Sequence, residues 1–148
     1  MKKYVLLGLI LVLVGIYASS DRYSVGLGPW QVVVDEDRAQ VHARTSRFLD
    51  DIKFKDFAHA ATFHTAEDQE KRDIPTLIER KFAVKPELLD IRTHDVLAVE
   101  IMSTGERAKV RTIVHVTLLN TGQTRDVDAV FYWQKIDGVW YMDLQSSL

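Results

Sequence analysis

Three kinds of hydrophobic patterning follow one another along the chain. From Tyr4 to Ala18 (YVLLGLILVLVGIYA) the residues form an unbroken apolar run. From Asp35 to Phe82 apolar residues recur every three to four positions, the period of a helix with one buried face. From Asp90 to the end the period falls to two, the mark of strands with one face in and one face out.

In the middle section Val41, Thr45, Phe48, Leu49 and Ile52 share one face, and Arg38, Arg44, Arg47, Asp50 and Asp51 take the others. This predicts an amphipathic helix over 37–53, opened by Asp35-Glu36-Asp37, whose acids complement the helix dipole. Asp56 is placed to cap a second short helix carrying Phe57, Ala60, Ala61 and Phe63. The charged stretch Glu67 to Arg72 reads as a solvated turn or helix end. A third helix opens at Ile74-Pro75, buries Ile74, Leu77, Ile78 and Phe82, and stops at Lys85-Pro86.

Turn signals at Thr104-Gly105, Thr121-Gly122 and Asp137-Gly138 divide the rest into four strands. Two-residue loops there would set Val99 against Val110, Val110 against Trp133, Thr112 against Phe131, Trp133 against Met142, and Phe131 against Leu144. All three registers gather apolar residues on one face: Leu97, Val99, Ile101, Val110, Thr112, Val114, Val116, Phe131, Trp133, Trp140, Met142 and Leu144. A one-residue slip would scatter them. The other face would align His94 with His115 and His115 with Asp128, and Arg111 with Tyr132 and Tyr132 with Asp143. The expected class is α+β, with N-terminal helices packed on a curved four-stranded antiparallel sheet.

Composition adds compartment and exclusions. Lys2 and Lys3 precede the apolar run and Ser19, Ser20 and Asp21 end it, the layout of a secretory signal or a membrane anchor. Its fifteen residues are long for a signal core and short of the roughly 20 that span hydrocarbon. Either way the positive end stays in the cytoplasm and the remainder is exported. The expected division is a signal or anchor over 1–20, a linker over 21–36 and a domain over 37–148, with Trp30 to Val34 open between a short strand and a partner-facing strip. The net charge of −2 offers no basic excess for phosphates, which argues against nucleic acid. The absence of cysteine excludes disulfides, thiolate chemistry and lipoprotein anchoring.

The stretches "RFLDDIKFKDF", "RAKVRTIVHVTL" and "YWQKIDGVWYMDL", helices first and then an alternating sheet closed by Asp-Gly and Trp, resemble the nuclear-transport-factor-2-like superfamily, in particular its bacterial secreted and membrane-anchored members. The resemblance covers about residues 37–146 and implies a cone of helices against a bent sheet. It identifies a fold and not an activity, because the superfamily holds enzymes, binding domains and secretion-machine scaffolds alike.

Enzymatic members carry an acid or a His–Asp base inside the cone, often beside a Tyr or second acid. The only acid aligned with the inner face here is Asp95, with His59 or His64 as a partner from the helices. Thr112, Phe131, Trp133 and Trp140 would line an apolar pocket with Asp95, or fill the core. His94, His115 and Asp128 form a row that could hold a divalent metal or, more simply, a solvated cross-strand contact. Arg111, Ile113, Val130, Tyr132 and Tyr141 make the open face a mixed, interface-like surface. The preferred reading is a non-catalytic binding or scaffolding module of the bacterial cell envelope without a cofactor. It would be anchored in the inner membrane through residues 4–18 or exported to the periplasm, and bind an envelope protein or itself. The alternatives are a periplasmic pocket protein for a small apolar ligand and a proton-transfer enzyme using Asp95.

Overall fold

The computed structural model describes residues 24–27, 30–33, 35–82 and 85–147. The apolar run at residues 4–18 lies outside them, and among the described residues no helix is long and apolar enough to cross a membrane. The chain divides into two units, 1–36 and 37–148. In the first, β1 (Ser24–Leu27) and β2 (Trp30–Val33) pair antiparallel, Leu27 opposite Trp30. The stretch expected to be a linker therefore contains two paired strands.

The second unit is α+β. Helix α1 (Glu36–Phe54) buries Val41, Thr45, Phe48, Leu49 and Ile52, the face read from the sequence. Lys55 ends it in a left-handed conformation, φ 60°. Asp56 then caps α2 (Phe57–Ala61) by accepting from the His59 N–H at 3.0 Å. The charged stretch expected as a turn or helix end is a helix of its own, α3 (Ala66–Lys71). Thr65 caps it, Lys71 pairs with Glu67, and none of its residues is buried. Helix α4 (Ile74–Arg80) starts from the Asp73 cap with Pro75 in its first turn. A 3₁₀ turn, Pro86–Leu88, leads into the sheet.

Strands β3 (Leu89–Ile101), β4 (Arg107–Leu118), β5 (Thr124–Ile136) and β6 (Val139–Met142) form one antiparallel sheet in sequence order. The outer parts of two registers follow expectation: Val99 faces Val110 and Trp133 faces Met142. The Asp137-Gly138 turn has both residues at positive φ (50° and 80°), the two-residue hairpin geometry. The middle register differs. Val110 faces Phe131, Thr112 faces Ala129 and His115 faces Asp126, a displacement of two residues from the expected pairing. The cause is the turn. Gly122, at φ 71°, donates to the Leu118 carbonyl at 2.7 Å, and Leu118 donates to Gln123 at 2.8 Å, so four residues form the loop. An even displacement keeps every side chain on its face, which is why the predicted core survives the wrong pairing.

Two bulges in β3 have the opposite effect. The register shifts between Ile91 and Thr93 and again between Val96 and Ala98. Each extra residue inverts the faces of what precedes it. Leu97, expected inside, is 53% exposed, whereas Val96 packs against the core. After Met142 the chain leaves the sheet. Asp143 accepts from the N–H groups of Gln145 and Ser146 and starts a short helix, α5 (Leu144–Ser147), in place of the expected strand opposite Phe131. The core lies between the sheet and the helices, with Val41, Ala108, Val110, Trp133, Trp140 and Met142 at most 1% exposed.

Candidate functional site

The helix-covered side of the sheet has a filled end and a hollow end, and Phe48 of α1 stands between them. Its ring meets Phe63 and His64 on one side and Phe131 on the other, edge to face at centroid distances of 5.9, 6.4 and 5.5 Å. At the filled end Phe63 also meets Trp133 at 6.2 Å. The Arg44 guanidinium lies over both, 5.1 Å from Phe63 and 5.8 Å from Trp133. Burial pushes the Arg44 pKa down. Trp140 donates its indole N–H to Asp37 (3.1 Å), which also accepts from Lys135 (2.7 Å), tying the start of α1 to β5 and β6. The Lys135 hydrogen bond holds the Asp37 carboxyl below its ordinary value against the opposing effect of burial, with Trp140 adding to it.

At the hollow end is a cavity of about 550 Å³, within the range of small-molecule sites. Phe48, Leu49 and Ile52 of α1, Ile78 of α4 and Phe82 form one wall, and Ile91, Val114, Val116, Val127, Ala129 and Phe131 of the sheet form the other. Among the described residues Lys81 and Arg125, both exposed, are its only charged lining residues, and Ser147 adds a hydroxyl. Among the described residues the lining holds neither a carboxylate nor an imidazole.

Of the residues expected to line a pocket, Phe131 alone does so. Thr112, Trp133 and Trp140 are at most 1% exposed and fill the core. Asp95 is corrected outright. The bulge at Leu97 turns it to the open face, opposite Ile113, with its side chain 67% exposed. The expected partners are elsewhere. His59 is exposed and donates to Asp51 at 2.7 Å, and that bond raises its pKa. His64 is fully buried, with Nδ1 3.2 Å from the Ala61 carbonyl, and burial lowers its pKa. A base at Asp95 inside the helix-covered side is therefore overturned.

The His94–His115–Asp128 row is dispersed by the same two causes. His94, inverted by the bulge, turns under α1 and donates to Asp50 at 2.8 Å. His115, displaced by the longer turn, meets Asp126 at 2.6 Å and approaches Asp95 at 3.7 Å. Among the described residues no cluster suited to a metal ion forms. Arg111, Ile113, Val130, Tyr132 and Tyr141 do lie on the face away from the core, although Tyr132 faces Lys109 and Arg111 faces Val130. Arg111 and Val130 are exposed and the other three half-buried.

Sequence reasoning missed the cavity, and one signal could have located it. Along the inner face bulk declines from Trp133, Met142 and Trp140 to Val114, Val116, Val127 and Ala129. Small side chains facing a helix whose buried face bears only one large ring, Phe48, leave space. No protein-family model matches the chain, and no curated protein matches it.

Proposed function

We propose that the chain is a non-catalytic binding module whose hollow end receives one amphipathic ligand, an apolar chain with an anionic end. The cavity carries this reading: its walls are apolar, and among the described residues the only charges on its lining are the cations Lys81 and Arg125. Apolar walls supply affinity in proportion to the area they cover, and the cations select the sign of the head group. The described lining, free of carboxylate and imidazole, favours binding over proton transfer. The succession of helices and a bulged antiparallel sheet supports the resemblance to the nuclear-transport-factor-2-like superfamily and its cone-like arrangement. The basic start and apolar run support placement at, or export past, a bacterial inner membrane, by an anchor or a cleaved signal.

The test is equilibrium binding of decanoate, decanol and decylamine to the full chain. The expected order is decanoate tightest and decylamine weakest, with the preference for decanoate lost on Lys81→Glu with Arg125→Glu. Equal binding of all three, or none, would refute it. A second reading uses the open face, where Val130 is 39% exposed and Ile113, Tyr132 and Tyr141 are half-buried. There a homodimer or an envelope partner would dissociate on Tyr132→Glu, read by sedimentation.

A further inference from the structure

Strand β5 is paired on both sides for only part of its length. β6 covers Trp133 to Ile136. At Tyr132 helix α5 takes over: the Tyr132 N–H donates to Ser147 Oγ (2.8 Å), and its carbonyl accepts from the Asp143 N–H (2.8 Å). From Val130 back to Arg125 no described strand pairs with that side. In an antiparallel ladder alternate residues turn their N–H and C=O to opposite neighbours. The β4–β5 register runs without a shift from Arg107 and Gln134 to Thr117 and Thr124, so the direction set at Tyr132 carries back along the strand. Val130, Asp128 and Asp126 therefore direct their backbone groups away from β4, into the open. The sheet's other edge, β3, is interrupted by two bulges, a device that blunts strand addition. This edge has neither a bulge nor a proline.

We propose that the β5 edge receives an extended segment of another protein in which basic and apolar residues alternate. An added strand places alternate side chains on the two faces. On the outer face they would lie beside Asp126 and Asp128. Among the described residues Asp128 has no ion-pair partner and Asp126 pairs with His115 alone. On the inner face they would lie beside Val127, 46% exposed, and Ala129. Basic residues answer the first row and apolar residues the second. A second copy is a poor occupant, because antiparallel self-pairing over this stretch sets aspartate against aspartate, and like charges directly opposed destabilise. The edge borders the cavity, whose lining includes Val127, Ala129 and Val130, but strand addition is measured with peptide alone and needs no ligand in the cavity.

The experiment uses the full chain in lipid nanodiscs and short peptides that alternate lysine or glutamate with valine. The lysine peptide is expected to bind and to slow hydrogen exchange at Asp126, Asp128 and Val130. Asp128→Pro, which removes an outward N–H without touching the β4 ladder, should weaken binding by about tenfold or more. Asp128→Lys keeps the backbone and should move the preference towards the glutamate peptide. Undiminished binding by Asp128→Pro, or equal binding of both peptides, overturns the proposal. So does slow exchange at these amides in the peptide-free chain, whether independent of concentration or growing with it, which would mean an edge already taken by this chain or by a second copy.

Discussion

The two ends of the helix-covered sheet begin from the same sequence device and reach different outcomes. Both alternate apolar and polar residues, and both place the apolar set under α1. At one end Trp133, Trp140, Phe63 and Met142 close the space so fully that three of these side chains are at most 1% exposed. The closure leaves Trp133 Nε1, His64 Nε2 and Arg44 Nε buried without a hydrogen-bond partner among the described residues. At the other end valines and an alanine face the same helix across about 550 Å³. Alternation decides which side is dry, and side-chain volume decides whether the dry side is solid.

The sharpest way to break this contrast is truncation at the filled end. Trp133→Ala should cost about 3–5 kcal/mol, read as a lower urea midpoint, and a loss under about 1 kcal/mol would mean that the end is not tightly packed. Next comes enlargement. Ala108 is 0% exposed beneath the filled end, and Ala108→Leu should cost about 1–3 kcal/mol by overpacking. Ala129→Leu adds the same atoms beside the cavity and should cost less than about 0.5 kcal/mol or stabilise, while weakening decanoate binding. Equal costs at the two alanines would erase the distinction between the ends.

Acidity sharpens the comparison with a smaller effect. Burial holds the His64 pKa below its ordinary 6.5, so the unfolded chain takes up the proton first. The stability linked to His64 is complete above about pH 6.5 and is lost as pH falls through the lower folded value. Exposed His59 runs the other way. Its Asp51 partner raises its pKa, so its contribution is complete below about 6.5 and is lost as pH rises through the folded value. Denaturation of His64→Gln and His59→Gln across pH 5–8 should remove opposite slopes. The smallest expected effect on stability, within about 0.5 kcal/mol, is that of Lys81→Glu at the rim. It should change ligand preference and leave the urea midpoint almost unmoved.

Much of the fold was legible because two-residue periodicity tolerates even errors. The longer turn at Gly122 moved each β4–β5 pair by two positions, yet Val114, Phe131 and Trp133 stayed inside. The candidate sites lacked that protection, since one inserted residue inverts a face. The bulge at Leu97 exchanged Asp95 and His94 and removed both the expected base and the expected metal row. The run Val96–Val99, four apolar residues in succession, marks where the alternation lapses. The cavity was hidden for another reason. Periodicity reports the direction of a side chain, whereas a void depends on volumes summed across elements distant in the chain, here α1, α4 and three strands.

The most direct test maps where an amphipathic anion sits. A photoactivatable analogue of decanoate, with its reactive group at the apolar end, is cross-linked to the full chain and the labelled residues are located by mass spectrometry. Labels on Val114, Val116, Phe131 or Ile78, displaced by decanoate and lost in Ala129→Leu, are the expected result. Labels around Trp133 and Met142, or spread over the outer sheet face with no competition by decanoate, would contradict a hollow end that binds.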